Sequence, residues 1–196
     1  MRTGALAPRQ AAQAEAASMR CIQELTLLEA LPPLAADFAT SGLRTRRCRD
    51  GRFGLDDFEA IAEVDGAAFG ELWRLDASLL ADVCTATPAY RARVVRSPSS
   101  DTGVWTHRRQ PVGFLLSGRA ARIGYIQRLA VHPEFQRRGI AAALLSDALV
   151  WMRRAGVDRV FVNTHIDNLA ALGLYHAHGF HDLPDRLRVF EGSTAS

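Results

Sequence analysis

From Asp56 onward the apolar positions change period several times, and each change marks an element. Phe58, Ile61, Ala62 and Val64 recur at helical spacing behind Asp56 and Asp57, acids suited to a helix's first turn. A second helix is expected over residues 77–85, ended by Pro88. Three strand-like runs come next at 90–96, 111–117 and 121–132, with turn signals at 97–103 and at Ser117-Gly118-Arg119. Ala141, Leu144, Leu145, Ala148, Trp151 and Met152 form one apolar stripe over 140–155; Ser146, Asp147, Arg153 and Arg154 lie largely off it, and Gly156 closes the helix. Residues 158–164 (DRVFVNT) read as a buried strand, 168–178 as a helix ended by Gly179, and 180–190 as two short strands around Pro184.

Upstream the pattern is thinner. Residues 43–48 (LRTRRC) alternate as a half-exposed strand would, 21–28 (CIQELTLL) are short-strand material, and Pro32-Pro33 breaks the chain after it. The first twenty residues are rich in Ala and Gln and lack the apolar run of a secretory signal, so a flexible leader over 1–20 is expected, with Met19 as an alternative start. Residues 21–42 then form an extension carrying an extra strand, and 43–192 the main domain. Helices first, then a strand meander, then strand–helix–strand–helix–strand argue for one mixed α/β domain.

Composition narrows the classes. At 48% hydrophobic and 23% charged in 196 residues, the chain has the apolar content for a core, which excludes a disordered protein. No stretch reaches the ~20 uncharged apolar residues of a membrane span, so no membrane partner is expected. Twenty-four basic residues against 21 acidic give +3, and every basic residue is Arg. A Lys base or Schiff-base nucleophile is therefore excluded, and the guanidinium fork favours phosphate recognition. The charges are modest and dispersed, which disfavours an Arg-rich nucleic-acid binder. Cys21, Cys48 and Cys84 are widely spaced and form no CxxC pattern; buried, reduced thiols in a cytoplasmic protein are expected. His107, His176, His178 and His181 show no metal-ligand spacing, and no metal is expected.

The most informative stretch is residues 128–145, RLAVHPEFQRRGIAAALL. A strand ends near His132, Pro133 turns the chain, and a basic Gly-bearing loop enters a long helix. The first amides of a helix lack intrahelical partners and sit at the positive end of its dipole, a natural phosphate site. Gly139 permits close approach, Arg137 and Arg138 add charge, and Ala141 keeps the first turn small. The loop lacks the Lys-Ser/Thr pair of a nucleotide P-loop and the three glycines of a dinucleotide fingerprint.

Gln136-Arg137-Arg138-Gly139-Ile140-Ala141 resembles the Q/R-x-x-G-x-G/A signature of the GNAT superfamily of N-acetyltransferases. Downstream, Asn168, Ala171 and Tyr175 followed by HAHGF are similar to that family's N-x-x-A-x-x-x-Y…GF ending. The likeness is clear over 124–183, extends back to Leu43, and is nearest in motif to the ribosomal-protein alanine N-acetyltransferases. It implies a mixed twisted sheet flanked by helices and acetyl-CoA as cosubstrate. The backbone of Leu129, Ala130 and Val131 would run beside pantetheine, and the amides of Gln136–Ala141, Ile140 included, would hold the pyrophosphate. Asn168 is assigned to the same cofactor, and Tyr175 to proton donation.

Acetyl transfer needs an oxyanion contact, supplied by a backbone amide around 129–131, and a proton for the leaving thiolate, for which a Tyr hydroxyl is suited. No cysteine lies in the matched motifs, so direct attack in a ternary complex is expected. The general base is the gap. The alanine N-acetyltransferases carry Glu five residues before the motif Asn, where this chain has Asn163. The base is either water-relayed or drawn from elsewhere, with His165 a candidate by titration range. An α-amino acceptor, with a pKa of ~8 against ~10.4 for Lys, needs less help, which favours peptide N-termini or small amines. The family's acceptor wall maps to residues 69–76, with Phe69 and Trp73 as lining candidates and Glu71 or Asp76 to meet a cationic amine. The rival to an enzyme is an acyl-CoA sensor that kept the cofactor cleft and lost acceptor chemistry.

Overall fold

The structure, a computed structural model, describes residues 2–5, 8–31, 46–47, 55–97 and 110–192. In chain order its elements are β1 (Arg2–Ala5), α1 (Pro8–Ala16), β2 (Arg20–Ala30), β3 (Arg46–Arg47), α2 (Leu55–Trp73), α3 (Ala77–Thr85), β4 (Ala89–Arg96), β5 (Pro111–Ala120), β6 (Ile123–Val131), a short 3-10 turn (Pro133–Phe135), α4 (Ile140–Arg154), β7 (Arg159–His165), α5 (Leu169–Ala177) and β8 (Phe180–Glu191). The expected mixed α/β class is the one observed. The expected Pro32-Pro33 break, Cys48, the 98–103 turn and His107 lie outside the described residues, as does all of the 43–48 strand except Arg46 and Arg47. No helix among the described residues is long and apolar enough to cross a membrane.

The chain divides into two compact units, one of residues 32–160 and one of 1–31 with 161–196. In the first, β3, β4, β5 and β6 pair antiparallel in that order. Strand β5 is buried along both faces, which is why PVGFLLSG reads as a nearly continuous apolar run. Phe114 and Leu116, with Val94 and Ala130, meet Phe58, Ile61 and Val64 of α2 and Leu80 and Cys84 of α3. Helix α4 packs on β4, β5 and β6 through Leu144, Leu145, Ala148 and Met152, all fully buried. Ser146, expected off the apolar stripe, is also buried.

Two sequence expectations shift here. Ser117-Gly118-Arg119 is not a turn but lies within β5, and the reversal falls at Ala121, whose φ is 50°. Gly118 serves close packing instead: a Cβ there would stand 2.0 Å from the Thr87 hydroxyl oxygen. Cys21 is exposed rather than buried, whereas Cys84 sits in the core. Burial pushes the Cys84 thiol from 9.0 up to about 11. An alkylating reagent at pH 8 is therefore expected to label Cys21 and spare Cys84. The unfolded chain releases the Cys84 proton near pH 9 while the folded chain keeps it until about 11. Folding stability thus falls as pH rises through that window, and denaturant midpoints at pH 8 and pH 10, with Cys84→Ala as control, check the sign.

In the second unit the strand order is β1-β8-β2-β7. Strand β8 lies between β1 and β2, antiparallel to both, so the chain's first strands complete the sheet of its last one. The segment expected as a flexible leader contains β1 and α1, and Ala11 and Ala14 of α1 pack with Met19 on Phe190, which is fully buried. The physical reason is the sequence of α1, PRQAAQAEA: its small apolar face becomes useful only once β8 supplies a large apolar partner. Strand β8 is one 12-residue strand, not two. Pro184 falls in a register irregularity opposite Thr26 and Leu28, where the ladder asks no N–H of it.

Candidate active site

Strand β6 leads into the basic loop. Its residues Val131, Ala130 and Leu129 pair with Gly113, Phe114 and Leu115 of β5, and a bulge opposite Leu116 and Ser117 interrupts the ladder at Gln127. His132 N–H donates to the Val112 carbonyl at 2.9 Å, and the 3-10 turn then carries the chain outward. Gln136 braces this turn twice: its amide donates to the Pro133 carbonyl at 3.2 Å and its Nε2 to the Val131 carbonyl at 3.1 Å. The Gln136 amide is therefore already partnered.

The next six amides are not. The first bond of α4 runs from Ala143 N–H to the Gly139 carbonyl at 3.0 Å, and the amides of residues 137–142 reach no acceptor among the described residues. Arg137 and Gly139 both take left-handed backbone, with φ of 61° and 76°, which turns successive N–H groups to one side. Helix α4 has no side-chain cap at its start and no acidic residue in its first turn. Nothing intrinsic therefore offsets the positive end of its dipole. Ile140, 4% exposed, anchors the helix start beside Gly113. Arg138 is tied back, donating to the Glu134 carbonyl at 3.0 Å and lying 5.0 Å over the Phe135 ring. The exposed Arg137 guanidinium has no partner among the described residues. Amides, dipole and a free cation together make a built anion cradle, and a diphosphate fits that donor set.

Tyr175, on α5 of the other unit, is 5% exposed, with its ring 5.6 Å from that of Phe180. Burial pushes its phenol well above the ordinary range, so it stays protonated at working pH. Asn168 caps α5, its side-chain oxygen accepting from Ala171 N–H at 3.1 Å. Asn163 lies exposed on β7. At the end of β7, His165 Nδ1 accepts from Asp167 N–H at 3.2 Å. An Asp167 carboxylate oxygen lies 3.6 Å from the same nitrogen, so Nδ1 is engaged by its own loop.

Both lining candidates of the acceptor wall, Phe69 and Trp73, meet one guanidinium. Phe69 lies against the guanidinium of Arg128, 3.6 Å from ring centroid to Cζ, and the Trp73 carbonyl accepts from the same group at 2.7 Å. Neither ring lines the nearby cleft of about 310 Å³, whose polar lining comes from Glu59, Glu63, Arg74 and Asp76. Asp76 also caps α3 through Leu79 N–H at 2.8 Å, and Glu71 is exposed. The residues that sequence reasoning missed are Asp65 and Arg128, which form an ion pair at 2.6 Å with Asp65 wholly buried. They stand 63 residues apart, one on a helix and one on a strand, so no local spacing announces them. No group of three His, Cys, Asp or Glu able to hold a metal ion occurs among the described residues.

Residues 67–180 match the Acetyltransferase (GNAT) family. N-alpha-acetyltransferase 30 of Saccharomyces cerevisiae is 40% identical over 57 residues, which is 29% of this chain and 32% of that protein's length. A GCN5-related N-acetyltransferase from Sphaerobacter thermophilus superposes with a TM-score of 0.64 at 20% identity, over 96% of this chain and 58% of that one. The ribosomal-protein-S18-alanine N-acetyltransferase from Escherichia coli does so with a TM-score of 0.56 at 16% identity, over 75% of this chain and 92% of that one. At these identities the superpositions speak for the fold, while the match over residues 67–180 covers more than half of the 196. The chain belongs to the GNAT acetyltransferase family.

Proposed function

We propose that the protein transfers the acetyl group of acetyl-CoA to a primary amine, and that the acceptor is the α-amino group of a peptide or a small amine. The observation that carries this reading is the run of six unpartnered amides at residues 137–142, beside the free Arg137 guanidinium. A coenzyme A diphosphate would satisfy these donors, and the bound thioester supplies the activated acyl group. The family resemblance assigns the backbone of Leu129, Ala130 and Val131 to alignment of the acyl arm, with an N–H turned to the developing oxyanion. Asn168 is assigned to the same ligand. Tyr175, kept neutral by burial, gives its proton to the leaving sulfur as the C–N bond forms and the C–S bond breaks, and the proton lost by the attacking nitrogen, relayed through water, restores the phenol. Transfer is direct, since neither Cys21 nor Cys84 falls in the motifs that match.

An α-amino acceptor suits the absence of a carboxylate at Asn163 and the occupied Nδ1 of His165, because a weakly basic amine is already partly neutral near pH 8. The names of the yeast and Escherichia coli relatives point the same way. The lack of a carboxylate at Asn163 supports one second reading, a sensor that binds acyl-CoA without turnover. Thiol release from acetyl-CoA against a panel of peptides with free N-termini, small amines and lysine side chains decides between them. Turnover on α-amines supports the enzyme, and binding without thiol release supports the sensor. Tyr175→Phe is expected to keep acetyl-CoA affinity and to lower kcat by about 10- to 100-fold. Unchanged kcat would remove Tyr175 from the proton path.

A further inference from the structure

Helix α2 does not run straight into the next element. Gly70 leaves helical geometry at φ 69° and ψ 176°, and a short connection leads on to Asp76, which caps α3. Along this connection Glu71, Leu72 and Arg74 are exposed, while Phe69 and Leu75 pack partly buried against the core. The buried Asp65 and the half-buried Arg128 hold it further. Asp65 Oδ1 accepts from Leu75 N–H at 2.7 Å and from an Arg128 terminal nitrogen at 2.8 Å, while its Oδ2 accepts from Arg128 Nε at 2.6 Å. The same terminal nitrogen donates to the Trp73 carbonyl, and the guanidinium face rests on the Phe69 ring. Three points along the segment, Phe69, Trp73 and Leu75, are thus fixed by one fork and its carboxylate.

A buried ion pair is a weak device for stability, since its desolvation cost offsets most of the attraction, but the fork geometry makes it a stiff one. Arg128 also occupies a particular place. It precedes Leu129 on β6, the strand whose backbone is proposed to align the acyl arm, and it lies in the same compact unit as the segment it grips. We infer that Arg128, oriented by Asp65, is a positioning residue that sets segment 69–75, assigned to the acceptor wall by the family resemblance, against the strand proposed to align the acyl arm. This rests on the acetyltransferase reading, and it assigns to the pair control of acceptor placement rather than of cofactor binding.

The test uses the full chain with Arg128→Lys, which keeps the charge and loses the fork, and Asp65→Leu/Arg128→Met, which removes both charges together and so leaves no unpaired buried carboxylate. Both variants are expected to raise the acceptor KM at least about tenfold while acetyl-CoA affinity stays within about twofold, because misplacement acts on the acceptor alone. Amide exchange at Trp73 and Leu75 should speed up in both. An unchanged acceptor KM in either folded variant overturns the inference, and so does an equal loss of acceptor and acetyl-CoA affinity, which marks a merely structural pair. If the wild-type chain turns over no acceptor, the acetyltransferase reading fails on its own; unaltered exchange at Trp73 and Leu75 would then overturn the clasp as well.

Discussion

Gly139→Val is expected to abolish useful acetyl-CoA binding while leaving the protein folded. Gly139 sits at φ 76° at the head of α4, on the exposed side of the loop. A β-branched residue is a genuine outlier there, and even an ordinary L-residue costs about 1–2 kcal/mol in the left-handed region. The chain relieves that strain by moving the amides at residues 137–142 out of convergence, and each charge-assisted bond lost is worth about 1.5–3 kcal/mol. Together these predict an affinity loss of at least about 100-fold by calorimetry. The circular dichroism spectrum should not change, since the loop packs no core residue except Ile140. Unaltered affinity in this variant would mean that the phosphates bind elsewhere.

Removal of residues 1–31 is expected to be the most damaging change to the fold. Strand β8 pairs with β1 through residues 188–191 and with β2 through most of its length, so the truncated chain leaves β8 with neither neighbour. Phe190 and Leu28, both fully buried, mark the core that disappears. The truncated protein should be insoluble or show no cooperative transition. Removal of residues 1–18 alone keeps β2 and should give a folded protein, destabilised by about 2–4 kcal/mol through the uncovering of Phe190. Thermal unfolding of the two truncations side by side checks both. A cooperative transition at the wild-type temperature after loss of residues 1–31 would contradict the sheet order of this unit.

The range of the forces involved decides which features were legible in the sequence. The end of α3 was legible because Pro88 follows it, and α4 was legible because its stripe repeats over fifteen residues. The anion cradle was legible because a strand, a proline turn, a glycine and a helix start come directly one after another. The place of β2 was not, since its partners on β8 lie 150 or more residues away and nothing local in CIQELTLL names them. Gly118 misled because the missing Cβ makes room for Thr87 rather than for a turn. The Asp65–Arg128 pair was invisible for the reason that β2's pairing was: an Asp inside a helix and an Arg inside a strand each look solvated until the fold buries them together.

The cradle itself is tested most directly by tracking backbone amides in a 15N-labelled sample as acetyl-CoA is added. Saturable binding at one site is expected, with the largest shifts and the strongest gain in exchange protection at residues 137–142 and little change at the already bonded amide of Gln136. Saturable binding that leaves residues 137–142 undisturbed, or no binding at all, would contradict the cradle.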